Sequence, residues 1–162
     1  MTTRSLRAFA PVCILMLALL MPSFAKAHCE VPCGIYADEL RIQAITEDIT
    51  TIEKASKSIV ALSSEGDKNY NQIVRWVVTK EEHAKAIQET VYQYFMTQRI
   101  KPKTEADGEA YTKYVTELKL LHTLLVQAMK SKQSTSLEPI EGMREALEAF
   151  KVSYLGEHGH SH

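Results

Sequence analysis

Cysteine is scarce in this chain. There are three in 162 residues, and Cys13 falls in an N-terminal stretch that reads as removable. Cys29 and Cys33 remain, which limits the rest of the chain to one disulfide or one pair of thiolates. An excess of positive charge is also lacking. Nineteen Lys and Arg stand against 20 Asp and Glu, so the basic footprint of a nucleic-acid-binding protein is excluded. No stretch alternates with period two, and no sequence repeat is present, so neither a sheet nor a repeat array competes for the fold. The longest apolar run, Phe9 to Met21, has the length of a signal-peptide core and is too short to span a bilayer comfortably.

What is present begins with that run. Arg4 and Arg7 precede it, and Ala25-Lys26-Ala27 supplies small residues at the two positions a signal peptidase reads. Residues 1–27 are therefore expected to be a cleaved secretory signal. Retention as an uncleaved anchor is the alternative, and export to the periplasm or exterior, without a stable membrane anchor after cleavage, is the expectation. His28 stands where a lipoprotein signal needs a small residue, so acylation of Cys29 is rejected. Cleavage leaves residues 28–162, 135 in all, enough for one domain with a real core. Loss of Arg4, Arg7 and Lys26 leaves 16 basic residues against 20 acidic, a net charge of −4.

Beyond residue 37 the apolar spacing is helical. Four stripes recur in steps of three and four: Ile42, Ile45, Ile49, Ile52, Ile59, Leu62; then Ile73, Val77, Ala84, Ile87, Val91, Tyr94; then Tyr111, Tyr114, Leu118, Leu121, Leu125, Met129; then Ile140, Met143, Leu147, Phe150, Tyr154. The first ends near Glu65-Gly66, the second before Pro102, and Gly156 is a natural stop for the fourth. The spacing predicts an all-α fold, an antiparallel up-and-down four-helix bundle over 37–155, preceded by a hook over 28–36 and followed by a His-rich disordered tail over 156–162. His122, beside Leu121, is expected to be packed or half-buried. The tail histidines, His158, His160 and His162, read as a solvated segment with loose affinity for divalent metal.

Chemistry concentrates in H-C-E-V-P-C-G-I-Y, residues 28–36. Cleavage after Ala27 frees the α-amino group of His28. An amine, an imidazole, the Cys29 amide nitrogen and two thiolates then lie within six residues. Pro32 fixes φ and Gly34 permits a positive φ, so the chain can turn back and bring the second sulfur round. Mixed nitrogen and thiolate donors in a plane suit Ni(II) or Cu(II). A structural zinc site would ask for two further side-chain ligands, and none is obvious nearby.

This segment resembles the nickel hook of the nickel-containing superoxide dismutase family, H-C-x-x-P-C-G-x-Y, at all six fixed positions, beginning at the expected cleavage point. Fragments such as Lys80-Glu81 and Tyr94-Phe95 extend the resemblance more thinly into the bundle. The resemblance implies one nickel ion per chain, cycling between Ni(II) and Ni(III), with superoxide as substrate and dioxygen and hydrogen peroxide as products. It implies the His28 amine, the Cys29 amide and the sulfurs of Cys29 and Cys33 as planar ligands, with the His28 imidazole added on oxidation. It places Tyr36 over the open face and Tyr94 as a second tyrosine near the metal. It implies a homohexamer whose subunits cover one another's hooks. Glu30, Pro32, Gly34, Gln43 and His83 are assigned supporting positions around the ligands. Gln43 and His83 stand where better-known members place a glutamate and an arginine behind the imidazole. Signal peptidase replaces the dedicated peptidase of cytoplasmic members.

Two other readings of the same residues remain: a secreted four-helix binding module with a Cys29–Cys33 disulfide, and an exported metal carrier using the hook and the histidine tail. The first does not account for histidine at the new terminus together with Pro32, Gly34 and Tyr36. The second has no need of Tyr36.

Overall fold

The computed structural model describes residues 37–66 and 68–156. Four α-helices are present and, among the described residues, no strand: α1 Asp38–Ser63, α2 Tyr70–Glu89, α3 Glu109–Gln133 and α4 Glu138–Leu155. The chain of α2 continues as a π-helical segment, Thr90–Arg99, and a short 3₁₀ turn, Glu105–Asp107, precedes α3. The expected helical bundle is what the chain forms.

The direction of each helix follows from which side chains meet. Across α1 and α2, Asp48 meets His83 and Asp38 meets Tyr94, so one helix ascends as the other descends. Across α2 and α3, Lys80 meets Ser131 and Gln88 meets Leu125. Across α1 and α4, Asp38 meets Tyr154 and Glu53 meets Arg144. Each pair runs antiparallel, which is the up-and-down arrangement expected of short connections.

The core is aliphatic along α1, where Ile42, Ile45, Ile49 and Ile52 are all buried, and aromatic where α4 meets the π-helical segment. There Phe95 packs edge-on against Tyr94, Phe150 and Tyr154, with ring centroids 5.1, 5.0 and 5.7 Å apart. The wide turns of Thr90–Arg99, seen in the bond from Ile100 N–H to the Phe95 carbonyl five residues back, let adjacent Tyr94 and Phe95 both face inward. Gly156, at φ +80°, ends α4 as expected.

Two stripes differ from expectation. On α3 the buried line is Glu117, Leu121, Leu124, Ala128 and Ser131, with Met129 exposed. The helix is turned so that Leu124 replaces Leu125 in the core, and His122, one residue past Leu121, faces water. On α2 burial begins only at Lys80, and Val77 is exposed. The cause is helix length. Lys80 Nζ donates to the carbonyls of Ser131, Lys132 and Ser134, at 2.7, 3.1 and 2.7 Å, and so meets the last turn of α3. The ten residues Tyr70–Thr79 run past that point, about 15 Å of helix with only α1 to pack on. Trp76 there lies under the Lys54 ammonium, 5.8 Å from the ring centroid.

Candidate functional site

His28, Cys29, Glu30, Pro32, Cys33, Gly34 and Tyr36 lie outside the described residues. The described chain starts at Ala37, and α1 begins at once with Asp38. An aspartate in a first turn is favoured by the helix dipole, but here its carboxylate also serves as a junction for three elements. Asp38 Oδ1 accepts a hydrogen bond from the Tyr94 hydroxyl at 2.5 Å, and Oδ2 accepts one from the Tyr154 hydroxyl at 2.8 Å. Arg99 Nη2 donates to the Tyr94 oxygen at 2.7 Å, and Arg99 Nε lies 2.9 Å from Asp38 Oδ1 as an ion pair rather than an aligned hydrogen bond. The Arg99 guanidinium stands 4.8 Å from the Tyr94 ring centroid, and that of Arg41 stands 5.6 Å from it.

The electrostatic consequence is a pair of phenols held neutral. Burial pushes the Tyr94 hydroxyl above its usual range, and donation to Asp38 adds to the effect, while Arg99 opposes it. Tyr154 is raised for the same first two reasons, burial and then the bond to Asp38. The Tyr94 hydroxyl thus donates to a carboxylate and accepts from a guanidinium, with its proton directed at Asp38.

The other two described candidates sit elsewhere. Gln43, five residues along α1 from Asp38, donates to Glu47 Oε1 at 3.2 Å and is exposed. It lines a groove of about 920 Å³ between α1 and α4, with Ile42, Ile49, Leu147 and Leu155 as its apolar wall and Arg144 and Glu148 among its charged lining. His83 Nδ1 lies 2.6 Å from Asp48 Oδ1. Burial raises the Asp48 carboxyl, with the histidine acting against it. Asp48 is ten residues from Asp38, about 15 Å along α1, so the structure does not bring His83 together with Tyr94. Among the described residues no group of three or more His, Cys, Asp or Glu is arranged to hold a metal, and no helix is long and apolar enough to cross a membrane.

Asp38, Arg99 and Tyr154 were not expected as site residues. One signal for them was available. Tyr94 and Tyr154 close the second and fourth apolar stripes with phenols, and in an antiparallel bundle those stripe ends meet the start of the first helix.

Comparison with known proteins gives one match: the family model for nickel-containing superoxide dismutase matches residues 23–158. No curated protein and no solved structure matches.

Proposed function

Since the chain belongs to the nickel-containing superoxide dismutase family, and is thus a nickel-dependent oxidoreductase acting on superoxide, we propose that its metal is held by His28, Cys29 and Cys33 after cleavage behind Ala27. The observation that carries the reading is that the family match spans residues 23–158, a range that includes both the hook segment and the bundle. The donors fit nickel on their own chemistry: thiolates and a nitrogen pair suit it, and a free amine exists only on a cleaved terminus. Cys29 would bind through its backbone nitrogen and its sulfur, and Cys33 would supply the second sulfur. Bound nickel supplies one-electron exchange between its divalent and trivalent states.

The protein's own residues set the surroundings. The reaction takes two superoxide ions and two protons to dioxygen and hydrogen peroxide. Asp38 lies five positions past Cys33, a span of at most about 18 Å, and two positions past Tyr36. The hook motif's likeness to the family supports Tyr36 and Tyr94 as the tyrosines near the metal. Glu30, Pro32 and Gly34 shape the hook. Gln43 lies on α1 five residues from Asp38. His83 stabilises the α1–α2 contact through Asp48 instead.

Export and assembly complete the reading. Residues 1–27 carry the chain to the periplasm or exterior, and signal peptidase releases the His28 amine. A homohexamer is supported by the apolar surface that one bundle leaves to water at its projecting end, where Val60, Tyr70, Val74 and Val78 are 48 to 62% exposed.

The test is to compare the chain beginning at His28 with the uncleaved precursor, each supplied with nickel, by superoxide decay after pulse radiolysis. The cleaved chain should dismutate and the precursor should not. Equal activity in both would overturn the role of the terminal amine.

A further inference from the structure

The cluster at the head of α1 fixes more than the fold. We propose that Asp38 is a positioning residue for Tyr94: with Arg99 and Tyr154 it locks the Tyr94 hydroxyl in one orientation, its proton committed to Asp38, so that Tyr94 acts as a fixed dipole and not as a source of the protons that peroxide formation consumes. The proposal rests on Tyr94 standing near the metal, as read above, and on the geometry of four described side chains.

Three hydrogen bonds fix the orientation of the cluster. The Tyr94 hydroxyl has one proton, and it points at Asp38 Oδ1 at 2.5 Å. Arg99 Nη2 approaches the oxygen of the same hydroxyl at 2.7 Å, so the phenol cannot rotate to exchange roles without losing both partners. Tyr154 occupies the second carboxylate oxygen at 2.8 Å and stops Asp38 from swinging away. The edge-on contacts of Phe95 with Tyr94 and with Tyr154 hold both rings. Releasing the Tyr94 proton to substrate would leave a phenolate beside a carboxylate, a like-charge pair in a half-buried place. A hydroxyl so held can still orient a neighbouring molecule through its ring edge and its oxygen, which is a positional function.

The experiment has two parts. In metal-free protein carrying tyrosine labelled with ¹³C at Cζ, the resonances of Tyr94 and Tyr154, assigned through Y94F and Y154F, should differ from those of solvated phenols, and D38N should move both. In nickel-loaded protein, D38N and Y94F should each lower the rate of superoxide decay by about ten- to a hundredfold, in the range of other groups that act through a neighbour, with nickel content unchanged. The double variant should be no slower than Y94F alone, because Asp38 acts through the hydroxyl that Y94F removes. R99M enters the same cycle should D38N fail to fold.

Three results would overturn the proposal: a Tyr94 resonance that D38N leaves in place, additive losses in the double variant as expected of a purely structural aspartate, or a Y94F loss far larger than that of D38N, as expected of a proton donor. The resonances are read without metal, so a wrong ligand assignment and a wrong cluster show up in different measurements.

Discussion

The two ends of the bundle are built from different material. At the head of α1, Asp38, Arg99, Tyr94 and Tyr154 pair every charge with a partner over a floor of Phe95 and Phe150. At the far end, α1 and α2 run past α3 and expose valines and a tyrosine. The aromatic floor of the head belongs to the buried core, and the exposed valines of the far end do not. The head is over-determined by hydrogen bonds and rings, as suits a place that must hold a side chain in one orientation. The far end is under-packed, as suits a surface that a partner covers.

The first way to break this contrast is at the hook, where the largest effect is expected. Cys29→Ser and Cys33→Ser should each abolish dismutation while leaving helical circular dichroism unchanged, since residues 37–156 contain no cysteine. A loss of helix in either variant would make the cysteines structural and support the disulfide reading.

Next in size is the floor of the head. Phe150 is fully buried, and Phe150→Ala should lower stability by about 3–5 kcal/mol in urea unfolding. A loss no larger than that of a surface substitution would mean that the aromatic cluster does not hold the head together.

Alkaline titration sharpens the contrast further. Tyr94 and Tyr154 have hydroxyl pKa values raised in the fold. A group with a raised folded pKa adds stability that is fully present below its unfolded value, near 10 for tyrosine, and is lost as pH rises through the folded value. The urea midpoint should therefore fall as pH rises above about 10, and should fall less in Y154F. Lys80 titrates alike in both proteins, so the difference isolates the phenol. An equal decline would contradict the coupling to Asp38.

The smallest effect belongs to the far end. Val74 is 60% exposed, and Val74→Ser should change the stability of the isolated chain by no more than about 0.5 kcal/mol. Sedimentation of the same variant reads the other half of the contrast: a weakened oligomer at unchanged fold stability places the interface there.

Much of the bundle was legible in the sequence because helical packing is periodic. The isoleucines of α1 and the stripe of α4 point where spacing says they should. The stripe on α3 misled because Tyr111, Tyr114 and Met129 are apolar enough to count, yet amphipathic or flexible enough to sit at the boundary. Ile73 and Val77 misled because periodicity on one helix does not reveal where its neighbour stops. The hook was readable as a motif because its residues fall within one short segment, 28–36, which lies outside the described residues. The Asp38 junction was not, because its bonds span 56 and 116 residues and each partner has an ordinary local explanation: a first-turn acid, two stripe aromatics, a last-turn base. Only the fold brings them together.

The proposed function turns on a reduced, metal-bearing hook formed by His28, Cys29 and Cys33. Intact mass and elemental analysis of the mature chain test it most directly. One nickel per chain, with a mass that begins at His28 and retains both thiols of Cys29 and Cys33, is the predicted result. A mass two hydrogens lighter, with no nickel bound, would show a Cys29–Cys33 disulfide and contradict the account.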